Sequence, residues 1–148
     1  MAETECIYRA PMRARDLDVE AGAGAEHGLS SGVVGIGPGR GEKATRMLHR
    51  FATVPTGSFV WTRDRAGEFH LGRIAGAVRE DHSPAAHAVG IVHVRDTTWL
   101  PRAFSEAEVP LGVAKTFARG GRNFQRTRDR EAERMTAELW RGECRGPR

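Results

Sequence analysis

Hydrophobic and polar residues alternate in two runs between residues 58 and 100, and this stretch organises the rest of the chain. The alternating positions are Phe59, Trp61 and Arg63 against Val60 and Thr62, then Val89, Ile91 and His93 against Val92 and Val94. A period of two residues is typical of β-strands. Between Arg63 and Glu68 the sequence Asp64-Arg65-Ala66-Gly67 favours a turn, with Gly67 supplying a positive φ. The pattern predicts a hairpin followed by a third strand, which together form a three-strand meander.

Apolar residues recur with a helical period on either side of this stretch. One helix is predicted before Pro55, where the apolar positions are Ala44, Met47, Leu48, Phe51 and Ala52. We interpret that stripe as core. A second helix is predicted after Pro101, ending at Gly120-Gly121, and a third over 124–141. Residues 1–31 are expected to be mostly irregular, with a short edge strand at 6–9 and a loop at 21–25.

Composition indicates one globular domain spanning 1–148. The 148 residues are 39% hydrophobic and 28% charged, and a chain of this length buries about 70% of its unfolded surface. No run approaches the ~18 apolar residues of a membrane span, and the acidic start differs from a signal peptide. We therefore expect a cytoplasmic protein that does not contact a membrane. Cys6 and Cys144 are too few for a disulfide framework, so both are predicted to be free thiols.

Charge is distributed unevenly along the chain. Residues 1–31 carry six acidic against three basic side chains, whereas residues 115–148 carry five acidic against ten basic ones. Arginine dominates over lysine, and guanidinium groups bind phosphates and stack on bases. This favours a polyanion partner, although a GC-rich genome produces the same composition.

Residues 31–126 resemble the PUA-like superfamily, in particular the EVE and ASCH-type domains of modification-dependent restriction systems. The matching pieces, in order, are SGVVGIG, VPTGSFVWTRD, GEFHLGRIAG, IVHVRDTTWL and VPLGVAKTFARGGRNFQR. The resemblance implies an α+β fold, with a small bent PUA-like β-barrel of about five strands and flanking helices. It also implies a pocket on one face of the barrel that holds a modified or flipped base.

Two tryptophans are candidates for lining that pocket. The resemblance places Trp61 and Trp99 near it, and an indole stacks on an extruded base for about 1–3 kcal/mol. A tryptophan at an alternating strand position is also typical of a core, so both interpretations stand at this point. Phe59 and Phe69 are expected to be core.

Polar candidates for reading the base lie around the third strand. A flipped base must be recognised by hydrogen bonds as well as by stacking. Asp96 offers an acceptor for an exocyclic amine, and His93 or Arg95 offers a donor, while an ion pair between Arg95 and an aspartate is the alternative. The resemblance adds Ser31, immediately before the first core strand.

A glycine-containing basic segment, residues 118–128, is the candidate for phosphate binding. Its polar residues are Arg119, Arg122, Asn123, Arg126 and Arg128. Such a loop follows a phosphate backbone without reading sequence. The embedded Phe124 is expected to dock on the barrel.

Other chemistries are not supported by motifs. GIGPGRG at 35–41 has Arg40 where a dinucleotide motif needs glycine and Glu42 where a phosphate loop needs lysine, so it is interpreted as a turn. The spacings of His82, His87 and His93 match no zinc pattern, so neither a metal nor another cofactor is predicted. No catalytic constellation is recognisable, which favours a binding module over an enzyme.

The sequence therefore predicts a reader of a modified, methylated base in DNA that flips the base into an aromatic pocket. The alternatives are an RNA-binding module of the same fold and a small nucleotide-acting enzyme of the ASCH type. A restriction-complex subunit with a nuclease partner is also compatible with the resemblance.

Overall fold

The computed structural model describes residues 5–13, 19–121 and 123–145. Within them, six strands form a single sheet, accompanied by five α-helices and one short 3-10 helix at Glu106–Glu108. The strands are β1 (Ile7–Arg9), β2 (Val33–Ile36), β3 (Phe59–Arg63), β4 (Phe69–Glu80), β5 (His93–Trp99) and β6 (Gln125–Thr127). The helices are α1 (Ala23–Ser31), α2 (Gly41–Thr53), α3 (Pro84–Val89), α4 (Leu111–Ala118) and α5 (Arg130–Cys144).

The strand order across the sheet is β2-β5-β4-β3-β1-β6. β1 pairs with β3 in parallel, and the other neighbours are antiparallel. The expected α+β class is confirmed. The prediction of a barrel is wrong, because β2 and β6 remain the two edges of an open mixed sheet in the part of the chain that the structure describes.

The predicted meander of three strands is confirmed as β3-β4-β5. The predicted start of its third strand is wrong, because Val89 ends α3 and β5 begins only at His93. Gly67 has a φ of +86° in the turn between β3 and β4, and its N–H donates to the carbonyl of Asp64 at 3.0 Å. Farther along β4, the register to β5 shifts between Ile74 and Val78. Such an irregularity bends a strand and increases its twist.

Both faces of the sheet are covered by helices. Val60 belongs to one apolar cluster, together with residues of α1, α2 and β5. Its neighbours Phe59 and Trp61 belong to a second cluster, together with residues of α4 and α5. The expectation that Phe59 and Phe69 are core is confirmed, since both are fully buried.

The N-terminal segment is more regular than the sequence indicates. The segment interpreted as irregular contains α1, and β1 lies inside the sheet rather than at its edge. α1 packs very closely on the chain around Met12: a Cβ at Gly24 would lie 1.9 Å from the Met12 carbonyl oxygen. Glycine is therefore present for close approach, which local propensity does not reveal.

The last helix also differs from the predicted 124–141. Residues 125–127 form β6, and the helix begins after Asp129, whose carboxylate accepts a hydrogen bond from the N–H of Ala132 at 3.0 Å. This cap fixes the start of α5. Among the helices of the described residues, none combines the length and apolarity needed to cross a membrane.

Candidate functional site

A pocket of about 350 Å³ lies between α2 and the β2-β5 end of the sheet. We call it the α2 pocket. Four separate segments contribute to its wall: residues 12–13, the stretch from β2 into α2, residues 90–93, and residues 123–124. A volume of this size is within the range of small-molecule sites, about 300–1,000 Å³.

Two glycines, Gly35 in β2 and Gly37 just after it, let the backbone itself form one wall of the pocket. A Cβ at Gly35 would lie 2.4 Å from Cγ2 of Ile91, and one at Gly37 would lie 2.8 Å from the carbonyl oxygen of Gly90. Both distances are below van der Waals contact, so a side chain at either position would push this wall away from the segment that precedes β5. The glycines therefore set the width of the pocket.

The floor of the pocket is apolar and rigid. It is made by Met12, Ile36, Met47, Leu48, Ile91 and Phe124. The ring of Phe124 is stacked on Tyr8, with centroids 5.2 Å apart, and meets Phe51 edge-on at 5.0 Å. Burial raises the pKa of the Tyr8 phenol, as expected for a group held in an apolar stack.

The rim of the pocket is polar and carries positive charge. Arg13, Lys43, Thr45, His93 and Asn123 contribute to it. α2 begins at Gly41 without a side-chain cap from Arg40, so its first N–H groups remain available as donors at this side. Acceptor atoms and negative charge on a ligand would therefore be favoured at the rim.

A second pocket, of about 390 Å³, lies between the β3-β4 turn and the loop that follows α4. We call it the arginine pocket, since Arg9, Arg13, Arg63 and Arg65 line it. Among the described residues that line it, Asp64 alone is acidic. Arg13 also lines the α2 pocket, so the two pockets adjoin.

Arg9 holds the loop after α4 in place. Although it is a charged residue, Arg9 is only 6% exposed, and its guanidinium donates to the carbonyls of Thr116 at 2.8 Å, Gly120 at 3.0 Å and Asn123 at 3.3 Å. Burial, and secondarily the charge of Arg119, lower the pKa of this guanidinium. The predicted phosphate-binding loop is thus anchored to β1, which lies between β3 and the edge strand β6.

Neither Trp61 nor Trp99 is among the described residues that line the two pockets. Trp61 is 1% exposed, and its indole N–H donates to the Thr136 hydroxyl at 3.1 Å. The Trp99 indole N–H donates to the Val33 carbonyl at 3.1 Å, and its ring packs on the first apolar cluster. The core interpretation therefore describes both, because helices cover both faces of the sheet.

The polar candidates on β5 are separated by the structure. His93 lines the α2 pocket. Arg95 is 2% exposed and donates to backbone carbonyls, so it does not reach a ligand. Asp96 faces solvent and pairs with Arg79 at 2.9 Å, rather than with Arg95. Ser31 is exposed at the end of α1 and lines neither pocket.

The residues of the predicted phosphate-binding loop have different surroundings. Asn123 lines the α2 pocket, whereas Arg119 and Arg128 are exposed outside both pockets. Arg126 lies 3.5 Å from the buried carboxylate of Glu133, which competes with any ligand for it. Arg122 lies outside the described residues.

Sequence reasoning missed most of the α2 pocket. GIGPGRG was tested for known nucleotide motifs and interpreted as a turn, and the stripe of α2 was interpreted as core. Phe51 is core, and Met47 and Leu48 pack against the same apolar cluster, but these two and Ala44 also line the pocket. The available signal was the glycine-rich join between a buried strand and an amphipathic helix.

No protein-family model matches the sequence, and no curated protein matches it. Among solved structures, the chain is similar to the YTH domain of the MRB1 protein of Zygosaccharomyces rouxii, crystallised in complex with N6-methyladenosine RNA. That likeness has 11% identity and a TM-score of 0.48, and it covers 93% of this chain and 85% of the other. The chain is also similar to protein Atu2648 from Agrobacterium tumefaciens, with 10% identity, a TM-score of 0.41, and coverage of 90% of this chain and 92% of that one. At these values neither likeness says what this chain binds, and the resemblance to EVE and ASCH-type domains stays a prediction.

Proposed function

We propose that this protein binds a nucleic acid strand by taking one unpaired base into the α2 pocket. The observation that carries the proposal is the pocket itself, which combines about 350 Å³ of space, an apolar floor and a polar rim. A base has the same two-part chemistry, with flat apolar faces and an edge of hydrogen-bonding groups. Arginines on the surrounding surface would supply attraction for phosphates.

Recognition inside the pocket divides between its floor and its rim. Met47, Leu48 and the edge or open face of Phe124 would contact the faces of the base, while His93 and Asn123 would reach its polar edge. In this proposal, aliphatic side chains and one phenylalanine take the role for which Trp61 and Trp99 were the candidates.

A methyl group on the base would be favoured by such a floor. Burying one methyl-sized apolar group contributes about 0.8 kcal/mol, which corresponds to roughly fourfold tighter binding. We therefore propose a modified, methylated base as the ligand. DNA is the first candidate, and in a duplex the base must be extruded, which costs a few kcal/mol. Single-stranded RNA avoids that cost and is the alternative.

The test is fluorescence-anisotropy titration with four matched DNA duplexes and single-stranded RNA. The duplexes carry cytosine, 5-methylcytosine, 5-hydroxymethylcytosine or N6-methyladenine at one position, and the RNAs carry adenosine or N6-methyladenosine. Each is titrated at two salt concentrations. One modified ligand should bind more tightly than its unmodified counterpart.

A matched pair of variants localises the binding. Thr45 and Thr53 lie on α2, and their hydroxyls bond the carbonyls of Gly41 at 3.1 Å and His49 at 2.9 Å, each one turn earlier. Only Thr45 lines the pocket, so Thr45→Phe should fill it, whereas Thr53→Phe is the control. Loss of the inserted base should remove about 1–3 kcal/mol of stacking, or roughly tenfold in affinity.

Two results would contradict the proposal. Equal binding by the Thr45→Phe and Thr53→Phe variants would place the ligand elsewhere. Binding of a free nucleoside monophosphate as tightly as an oligonucleotide would favour the small-molecule alternative, an enzyme or binding protein for nucleotides.

A further inference from the structure

The arginine pocket adjoins the α2 pocket through Arg13, and this placement depends on a strained residue. Met12, immediately before Arg13, has a φ of +52° although it is not glycine, and it is buried. α1 closes over it so tightly that a Cβ at Gly28 would lie 2.9 Å from the Met12 sulfur. Residues in this backbone region are held there by their surroundings, and they are found preferentially at functional sites.

The charges around the arginine pocket are unbalanced in favour of cations. Its one acidic lining residue, Asp64, is already engaged by His70 at 2.7 Å and by the N–H of Glu68 at 3.0 Å. Burial alone would raise the pKa of Asp64, but these hydrogen bonds outweigh it and leave the pKa lowered. The carboxylate is therefore held in its charged form, and its single negative charge offsets only part of the positive charge of the four arginines that line the pocket.

Two of the arginines are placed to exchange their present partners for an anion. Arg63 is exposed, and its Nε donates to the Gly67 carbonyl at 3.2 Å. Arg65 pairs with Glu20 at 3.2 Å and Glu26 at 3.1 Å, in a group where all three side chains are well exposed. Exposed ion pairs of this kind contribute only about 0–1 kcal/mol, so a phosphate can displace the glutamates.

We propose that the arginine pocket binds a backbone phosphate of the strand whose base occupies the α2 pocket. This inference rests on the proposed function and deepens it, since it states where the strand runs: across Arg13 and towards the β3-β4 turn. Guanidinium groups suit this role because they form paired hydrogen bonds with phosphate oxygens. The base selects the ligand, and the phosphate adds affinity that depends on salt.

The experiment compares one ligand without phosphate and one with it. The first pair is 5-methyl-2′-deoxycytidine and a pentadeoxynucleotide with 5-methylcytosine at its centre. The second pair is N6-methyladenosine and the corresponding RNA pentamer. Binding is measured by isothermal titration calorimetry for the wild type and for the double variant Arg63→Gln, Arg65→Gln.

We expect the double variant to bind the nucleoside as the wild type does and to bind the pentamer at least fivefold more weakly. Each phosphate contact contributes about −0.7 to the slope of log K against log salt for a single strand. Loss of one phosphate contact should therefore make the slope for the pentamer shallower by about 0.7.

Two further variants complete the test: one should raise the affinity for the pentamer, and the other is a control. Glu26→Gln removes a competitor for Arg65, so it should tighten pentamer binding and leave nucleoside binding unchanged. Arg134→Gln is the matched control, because Arg134 also pairs with two exposed glutamates, Glu131 and Glu138, yet lines neither pocket. This substitution should leave the affinity for the nucleoside and for the pentamer unchanged.

The outcomes separate the two proposals. If the wild type binds the nucleoside, but the double variant keeps the affinity and the salt slope for the pentamer, the arginine pocket does not hold a phosphate and this inference is overturned. If the wild type binds neither ligand of either pair, the proposed function fails, and this inference falls with it.

Discussion

The buried guanidinium of Arg95 supports one end of α2, and this contribution to stability can be measured by substitution. Its guanidinium donates to the carbonyls of Val54 at 2.6 Å, Gly76 at 2.8 Å and Phe51 at 3.0 Å. Phe51 and Val54 end α2, whose last carbonyls have no partner within the helix. Burial lowers the pKa of the Arg95 guanidinium. Arg95 thus fixes the end of the helix that forms one wall of the α2 pocket.

Replacing Arg95 by leucine should destabilise the fold strongly. The buried carbonyls of Phe51 and Val54 would lose their donor, at about 1–3 kcal/mol each, and the part-buried carbonyl of Gly76 would lose one too. The cost of burying a charge would disappear. We expect a net loss of about 3–5 kcal/mol, in line with the removal of one partner from a buried ionic network. Arg79→Leu is the control on the neighbouring strand, since its exposed pair with Asp96 should contribute at most about 1 kcal/mol.

The assay is urea unfolding followed by tryptophan fluorescence. With a slope of about 1–3 kcal/mol/M, Arg95→Leu should lower the midpoint by roughly 2 M, and Arg95→Lys should fall between the two. A midpoint within about 0.5 M of the wild type, together with loss of binding to a modified base, would refute the structural role and restore the base-selecting one.

Three other substitutions test separate parts of the structure. Trp61→Phe should lower the free energy of unfolding by about 1–3 kcal/mol, because the Thr136 hydroxyl loses its indole donor, while the ligand affinity of the folded protein stays unchanged in the anisotropy titration. Gly37→Ala should weaken ligand binding more than Thr53→Phe does, since a Cβ there would lie 2.8 Å from the Gly90 carbonyl oxygen and would push the pocket wall outwards; equal affinities would contradict this. Asp64→Asn tests the lowered pKa of Asp64. A carboxylate with a depressed folded pKa stabilises the protein above its unfolded pKa of about 3.9 and loses that contribution as the pH falls through the folded pKa. The wild type should therefore be more stable than this variant at pH 6, and the difference in urea midpoint should shrink towards pH 3; a difference independent of pH would contradict the linkage.

Elements with a local period were predictable from sequence. β3, β4 and β5 follow from alternation and the turn at Gly67, and α2 follows from its apolar stripe. α1 did not, because Gly24 and Gly28 disfavour a helix by about 1 kcal/mol each relative to alanine. The close packing of these glycines on Met12 outweighs their low helix propensity. This is a contact between separate segments, which helical periodicity does not reveal.

The site was harder to predict than the fold. A period of two shows which residues share a face of a strand, but it does not show whether helices cover that face. Sequence alone therefore left Trp61 open between a pocket and the core. The α2 pocket combines four distant segments, and part of its wall is backbone, so no side-chain motif marks it. His93 and Asn123 were named from sequence and do line it, although each was expected within a different arrangement of partners.

The bonds from Arg9 to the loop after α4 have a consequence for how the chain folds. Arg9 and Asn123 are 114 positions apart, and β1 lies in the sheet between β3 and β6. Pairings between such distant positions raise the mean sequence separation of the contacts. A larger mean separation slows the folding of a domain, typically to milliseconds or longer. Arg9 lines the arginine pocket, and Asn123 and Phe124 line the α2 pocket. Both pockets are therefore completed only when residues 9–13 meet residues 117–124, so we expect a chain that has formed only its meander not to bind.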